Sequence, residues 1–100
     1  MTAAISNLIE NALKHSPAGT TVRVRVSADS SIAVHDAGPG VPVKFREKIF
    51  ERFWRGGDSQ PGAGLGLSIV RQIMRALHGT VSVSDAPEGG ASFVLQFPTV

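Results

Sequence analysis

The sequence has 100 residues, which is the length of one domain. Hydrophobic residues make up 42% of the chain and charged residues 18%, a composition typical of a globular protein and not of a disordered one. The net charge of +2 does not indicate nucleic-acid binding, and the absence of cysteine excludes disulfide and thiolate chemistry. No apolar run approaches the roughly 18 residues of a membrane span, and no charged-then-apolar leader is present, so we expect a soluble domain.

The first part of the sequence predicts a helix followed by a β-hairpin. Apolar residues at helical spacing predict a helix over residues 2–15, which ends at Ser16-Pro17 because a residue before proline avoids helical geometry. Valines at every second position predict a half-buried strand over residues 20–28, and a second strand follows over residues 32–36.

The second part predicts glycine-rich loops, another long helix and another hairpin. Glycines and prolines exclude regular structure from residues 37–42, and a short helix is expected over residues 43–50. A glycine-rich loop over residues 55–64 precedes a helix over residues 65–77, with Gly79 as the expected C′ residue. The last predicted elements are two strands, near residues 80–85 and 91–97. This order predicts an α/β two-layer sandwich, with one layer of helices on a mixed, mostly antiparallel sheet.

The first predicted helix carries two asparagines one turn apart on its polar side. Asparagine is a poor helix former, and this side of the helix carries Asn7, Glu10, Asn11 and Lys14. A tolerated polar face is one interpretation. The other is a site for a hard cation, because an Asn carbonyl oxygen can ligate Mg²⁺ together with water and phosphate oxygens.

Three later segments have both a functional and an ordinary structural interpretation. Asp36, followed by Gly38 and Gly40, could receive an exocyclic amine beside a flat ring, or could form a simple turn. Residues 62–67 bring glycines to a helix start, where backbone N–H groups bind phosphate, or form a flexible loop. They match neither the Walker A pattern nor GxGxxG. Residues 50–55 could position two arginines near phosphates, or pack as an aromatic turn.

The order of these four segments is more specific than any one of them. Residues 7–17, 36–41, 50–55 and 62–70 resemble the N, G1, F and G2 boxes of sensor histidine kinases, in family order. The ending, a Leu-His-Gly sequence followed by two strands and a Gly-Gly turn, is also similar to that family. The resemblance therefore covers essentially the whole chain, and it implies the Bergerat fold of the GHKL superfamily, with about three helices on one face of the sheet.

The resemblance implies that the chain binds Mg-ATP and transfers the γ-phosphate to a histidine in two-component signal transduction. The acceptor would lie on a dimerising helical hairpin, in the same or another chain, and a response regulator would act downstream. None of the three histidines here is expected to be that acceptor. An alternative is a nucleotide-binding regulatory module of the same fold, similar to anti-sigma kinases or catalytically inert. In either case we expect a cytoplasmic domain.

The resemblance also gives each candidate residue a role. Asn11 would ligate Mg²⁺, and Asn7 would support the phosphates one turn earlier. Lys14 and His15 would lie near the phosphate chain. Asp36 would accept a hydrogen bond from the adenine amino group.

Further roles implied by the resemblance fall on the loops. Gly38 and Gly40 would let the purine fit. Arg52 and Arg55 would be candidates for the γ-phosphate, and the segment from about residue 55 to residue 63 would form the lid over ATP. The hinge of that lid and the cradle for the phosphates would comprise Gly62, Gly64, Leu65, Gly66 and Leu67.

One position separates kinases from hydrolases in the wider superfamily. Gyrase-like topoisomerases and a heat-shock chaperone carry a glutamate four residues before the metal-binding asparagine, where this sequence has Asn7. Glu10, an acidic candidate for the catalytic set, directly precedes Asn11 and is turned about 100° from it on a helix. The resemblance therefore implies slow hydrolysis, because no general base is aimed at the γ-phosphate.

The sequence begins later than the family pattern does. A strand and the first turns of the asparagine helix would be missing, so residues 1–100 are expected to form an N-terminally incomplete domain that lacks the first strand. The valine-rich strand over residues 20–28 would then expose a sheet edge. An exposed edge can pair with another chain, so we expect possible partners to include a second copy of this chain.

Overall fold

The computed structural model describes residues 2–51 and 66–98. The helices and strands of these residues are α1 (Thr2–His15), β1 (Arg23–Ser27), β2 (Ser31–His35), α2 (Gly66–Ala76), β3 (Thr80–Asp85) and β4 (Ala91–Gln96). Two short 3₁₀ helices lie between β2 and α2, at Val43–Phe45 and Lys48–Phe50. The predicted order of helices and hairpins is confirmed. Neither α1 nor α2 has the length and apolar character that a membrane span requires, and the described residues contain no other candidate.

The four strands form one antiparallel sheet in the order β1-β2-β4-β3. In the middle of the sheet, Phe93 of β4 lies between Val34 of β2 and Val83 of β3. These side chains are buried together with residues of both helices in one core. The largest fully buried side chains of the described residues are Phe93, Leu8, Met74, Leu95, Val34 and Val70. Burying a side chain of this size stabilises the fold by about 1.5–3 kcal/mol. The predicted α/β two-layer sandwich is confirmed.

The prediction of a single short helix over residues 43–50 is wrong. The chain forms two separate 3₁₀ helices there, and each is closed by an i→i+3 hydrogen bond. On one α-helix the apolar side chains of this segment would point to several sides, since each residue turns by about 100°. The second 3₁₀ helix instead buries Ile49 and Phe50, while Val43 in the first stays exposed. The ring of Phe50 meets the ring of Phe93 edge-on, with 6.3 Å between their centroids.

Strand β1 is not the half-buried strand that the alternating valines predict. The register places Val24 opposite Val34 and Val26 opposite Ile32, so both valines lie on the core face. They are nevertheless 48% and 76% exposed. The helices explain the difference, because α1 packs against β2 and α2 packs against β3, while β1 lies at the edge of the sheet beyond them.

The end of α2 differs by one residue from the prediction. His78, and not Gly79, adopts the left-handed conformation at the C′ position, with φ of 63°. The His78 N–H donates to the Arg75 carbonyl oxygen (3.0 Å) and the Gly79 N–H to that of Met74 (2.8 Å), which is the Schellman pattern. Close packing, and not the backbone conformation, explains why position 79 requires glycine. A Cβ there would overlap the carbonyl oxygen of Gln96 and stand 2.7 Å from Met74 Cε.

Candidate functional site

Helix α1 holds two asparagines at the boundary between the core and the solvent. Its stripe of Ala4, Leu8 and Ala12 is fully buried, which fixes the rotation of the helix on the sheet. Asn7 and Asn11 lie beside this stripe, on the same flank, and both are half-buried. Four residues of helix rise by about 6 Å, so the two amides form a short polar row.

The charged residues of the same helix are more exposed. Glu10, Lys14 and His15 all have exposed side chains. Lys14 and His15 occupy the last turn of α1, where positive charge complements the negative end of the helix dipole. Helix geometry turns Glu10 by about 100° from Asn11, as the sequence predicts. Between residues 3 and 15 of α1, the two half-buried asparagines are therefore the polar side chains with the least exposure.

Asp36 is a buried carboxylate directly after β2. Its residue is only 6% exposed. Oδ1 accepts hydrogen bonds from the Gly38 N–H (3.0 Å) and from the Ala91 N–H (2.9 Å). Oδ2 has no partner among the described residues, which also contain no fully buried side-chain oxygen without a hydrogen bond. Oδ2 is therefore available, as far as the described residues go, to a ligand that donates a hydrogen bond.

The loop after Asp36 is fixed to the end of α1. The Ala37 N–H donates to Ser16 Oγ (3.0 Å). Gly38 lies so close to the helix end that a Cβ on it would overlap the carbonyl oxygen of His15. This contact explains why a glycine is needed at position 38, in addition to the predicted reason, which is to leave space for a purine. The loop thus brings Asp36 to the end of α1 that carries Asn11 and Lys14.

The other side of the loop is fixed to the β3–β4 hairpin. The Arg46 side chain donates from Nε to the Val41 carbonyl oxygen (3.0 Å) and pairs through Nη2 with Asp85 Oδ1 (2.9 Å). Gly40, at φ of 80°, faces the Gly90 carbonyl oxygen. The sequence pattern does not predict the contributions of Ser16, Arg46, Gly90 and Ala91 to this region. The Gly89-Gly90 pair predicts a turn at this place in the sequence, but it does not predict the contact of that turn with Asp36.

The start of α2 contributes two of the predicted ligand-binding residues. Gly66 begins the helix, and a Cβ on it would meet open space. The Leu67 side chain is 8% exposed and belongs to the core, so any ligand contact of this residue would have to use its backbone N–H. First-turn N–H groups have no acceptor inside a helix, which suits them to phosphate. The predicted residues that lie outside the described residues are Arg52, Arg55, Gly62, Gly64 and Leu65.

Comparison with known proteins identifies the family. A family model described as "Histidine kinase-, DNA gyrase B-, and HSP90-like ATPase" matches residues 1–100. The chain belongs to this ATPase family. A curated relative, the sensor histidine kinase TmoS of Ectopseudomonas mendocina, is 46% identical over 102 residues, which cover 94% of this chain and 10% of TmoS.

Solved structures of the family give the same assignment. The mycobacterial sensor histidine kinase MprB aligns with a TM-score of 0.79 and 35% identity, over 96% of this chain and 70% of that chain. The ATP-binding domain of PrrB from Mycobacterium tuberculosis aligns with a TM-score of 0.73 and 38% identity, over 97% and 65% of the two chains. These matches confirm the predicted resemblance to the ATP-binding domains of sensor histidine kinases. The chain spans between 10% and 22% of the length of the first curated relatives it matches.

Proposed function

We propose that residues 1–100 form the ATP-binding domain of a sensor histidine kinase, which binds Mg-ATP and passes the γ-phosphate to a histidine on a separate helical hairpin. The observation that carries the proposal is Asp36, whose Oδ1 is occupied by two backbone N–H groups while Oδ2 accepts no hydrogen bond from the described residues. Membership of the ATPase family supports ATP as the ligand. The sensor kinases among the relatives support a role in two-component signalling.

Asp36 would recognise the base through its free oxygen. A carboxylate is only an acceptor of hydrogen bonds, so Oδ2 fits the exocyclic amine of adenine. Guanine presents an oxygen at the corresponding position, and two acceptors repel each other there. The site is therefore expected to select adenine nucleotides. Gly38 and Gly40, in the loop that follows, would lie beside the purine.

The polar row on α1 would face the phosphates. Mg²⁺ prefers oxygen ligands and keeps several waters and phosphate oxygens when it binds with a nucleotide, so it needs few ligands from the protein. The described residues contain no cluster of three acidic, His or Cys side chains that could hold a metal ion. The side-chain oxygen of the half-buried Asn11 is a ligand that fits a Mg²⁺ ion held mainly by water and phosphate oxygens. Bound Mg²⁺ would neutralise charge on the phosphates. Asn7 and Lys14, with His15 at the helix end, would hold the phosphate chain.

The remaining phosphate contacts belong to the other predicted segments. The backbone N–H groups of Gly66 and Leu67 are suited to phosphate, as part of the glycine-rich cradle that includes Gly62, Gly64 and Leu65. Arg52 and Arg55 would stabilise the charge of the transferred γ-phosphate, because a guanidinium donates two parallel hydrogen bonds to phosphate oxygens.

The residues of α1 favour transfer to a histidine over hydrolysis. A hydrolase needs a group that takes a proton from water, and the position used by the hydrolases of the superfamily holds Asn7, an amide without basic character. Glu10 has an exposed side chain turned away from Asn11. A neutral imidazole nitrogen is already a nucleophile and needs no such base. The domain would thus hold ATP with little loss to water until the acceptor histidine arrives.

The proposed partners follow from this role. The acceptor hairpin would come from the same or another chain, and a response regulator would receive the phosphoryl group afterwards, in the cytoplasm. A second copy of this chain is a further proposed partner, through the exposed edge at β1. The alternative function, a nucleotide-binding regulatory module, would use the same site without transfer to histidine.

Phosphoryl transfer can be tested by mixing the chain with a purified acceptor hairpin and ATP labelled at the γ-phosphate. The expected product is a hairpin whose label is lost in acid and kept in base, as for phosphohistidine. A variant hairpin without the acceptor histidine serves as the control and should carry no label. Binding of Mg-ATP without transfer to any cognate hairpin would favour the regulatory module instead, and an acid-stable label would indicate transfer to Ser or Thr.

A further inference from the structure

The turn between β3 and β4 touches the carboxylate that the proposed site uses to recognise adenine. Asp36 and Ala91 are joined by two hydrogen bonds although they are 55 residues apart in sequence. The Asp36 N–H donates to the Ala91 carbonyl oxygen (2.9 Å), and the Ala91 N–H donates to Asp36 Oδ1 (2.9 Å). Ala91 therefore fixes both the backbone and the side chain of Asp36.

Gly90 lies close against Asp36, with no room for a side chain between them. A Cβ at position 90 would overlap the carbonyl oxygen of Asp36 and stand 2.8 Å from its Oδ1. The neighbouring Gly89 offers a direct contrast, because a Cβ there would have no atom within 4 Å. Both glycines have positive φ, 97° for Gly89 and 90° for Gly90. The backbone strain of a side chain would thus be similar at the two positions, and only the contact with Asp36 differs.

The turn cannot move away easily to make room for a side chain. The Ala86 N–H donates to the Gly90 carbonyl oxygen (3.0 Å), and the Gly89 N–H donates to the Ala86 carbonyl oxygen (3.1 Å). Ala86 and Ala91 are themselves buried. A new Cβ at position 90 would therefore press on Asp36, at its backbone carbonyl oxygen and at its carboxylate, and shift this residue.

We propose that Gly90 is a positioning residue for base recognition, which sets the selectivity for the adenine amino group by holding the Asp36 carboxylate in place. This inference rests on the proposed function, since it assumes that Asp36 receives the base. With Oδ1 held by two N–H donors and Gly90 against Asp36, the position of Oδ2 is fixed. A shift of Asp36 would weaken the contact with the amine and leave the phosphate contacts on α1 unchanged.

Gly90→Ala and its matched control Gly89→Ala test this role with two nucleotides. ATP and purine riboside triphosphate, which lacks the amino group, are titrated with Mg²⁺ into each protein by calorimetry. The wild-type protein and Gly89→Ala are expected to prefer ATP by the same ratio, about tenfold or more. Gly90→Ala is expected to lower that ratio to less than about threefold, while its affinity for purine riboside triphosphate changes by less than about threefold.

A double substitution separates positioning from a general structural role. If Gly90 acts through Asp36, then Gly90→Ala should have no further effect on the ATP preference of an Asp36→Asn variant. Folding of every variant is followed by circular dichroism. Should Gly90→Ala not fold, amide exchange of the wild-type protein gives the test. ATP should slow exchange of the Ala91 N–H more than purine riboside triphosphate does, and equal exchange would overturn the role.

The outcomes distinguish this inference from the proposed function. If the wild-type protein binds neither nucleotide, the proposed function is wrong and the positioning role is wrong with it. If the wild-type protein prefers ATP and folded Gly90→Ala keeps the same preference as Gly89→Ala, only the positioning role of Gly90 is wrong.

Discussion

Replacing Asp36 with asparagine changes the proposed base contact while keeping the local hydrogen bonds. Oδ1 accepts from the Gly38 N–H at 3.0 Å and from the Ala91 N–H at 2.9 Å. An asparagine oxygen can accept both of these bonds. Its NH₂ group must then take the position of Oδ2, because the reverse orientation would face N–H donors with N–H donors. The orientation of the amide is therefore fixed by the two backbone groups.

The geometry gives the size of the effect on binding. The adenine amine would meet an NH₂ donor in place of a charged acceptor, which leaves a buried polar group unpaired and costs about 1–3 kcal/mol. We therefore expect the dissociation constant for ATP to rise by about 5- to 150-fold. GTP carries an oxygen at that position and can accept from the new NH₂, so the preference for ATP over GTP should shrink or reverse.

Calorimetric titrations of ATP and GTP, each with Mg²⁺, measure both quantities. Asp29→Asn is a matched control, because it removes the same charge from an exposed turn between β1 and β2. The unfolding midpoint of Asp36→Asn should stay close to that of the wild-type protein, since the two backbone donors keep their acceptor. Unchanged ATP affinity in Asp36→Asn, or equal affinity of the wild-type protein for ATP and GTP, would refute the assignment of Asp36 to the base.

Three further predictions concern the metal site, the loop packing and the sheet edge. Asn11→Ala should abolish Mg²⁺-dependent nucleotide binding in calorimetry and leave the circular dichroism spectrum unchanged. If the variant instead unfolds, and its folded fraction binds Mg-ATP with normal affinity, the role of Asn11 is structural. Gly38→Ala should destabilise the fold by about 1–3 kcal/mol in denaturant unfolding, because its Cβ would overlap the His15 carbonyl oxygen. The control Gly66→Ala, whose Cβ meets open space, should not destabilise the fold, and equal effects of the two substitutions would contradict the packing of Gly38 against α1. Val26→Lys should reduce self-association in sedimentation velocity, because Val26 is 76% exposed on β1, the edge strand of the sheet. A monodisperse wild-type monomer at high concentration would rule out pairing at β1.

The sequence predicts those parts of the fold that depend on local periodicity. The helical repeat of α1 and the alternation of β3 and β4 are each carried by neighbouring residues, and these elements lie where the pattern indicates. The burial of β1 is not a local property. Val24 and Val26 alternate as a half-buried strand should, yet the helices lie over β2 and β3 and leave both valines exposed. Alternation predicts which face a side chain takes, and not whether another element covers it.

The same distinction holds for the candidate site. Asp36 and Asn11 stand in short motifs whose order in the chain resembles a family, so the sequence alone identifies them. Gly90 lies against Asp36, and Arg46 pairs with Asp85; both contacts join residues that are far apart in sequence, and no spacing rule predicts either of them. Arg46 also lies between the two 3₁₀ helices, and its side chain binds Val41 and Asp85.

An NMR titration of the wild-type protein with Mg²⁺ and a non-hydrolysable ATP analogue tests most directly whether one nucleotide is held between α1 and the loop after β2. We expect the backbone amides of Asn11, Gly38 and Ala91 to shift together and saturate at one stoichiometric equivalent, while Val26 at the sheet edge does not shift. Binding between α1 and this loop would be contradicted if α1 and Gly38 did not respond and the shifts were confined to the cleft that Thr21, Arg23 and Glu88 line together with Asp36.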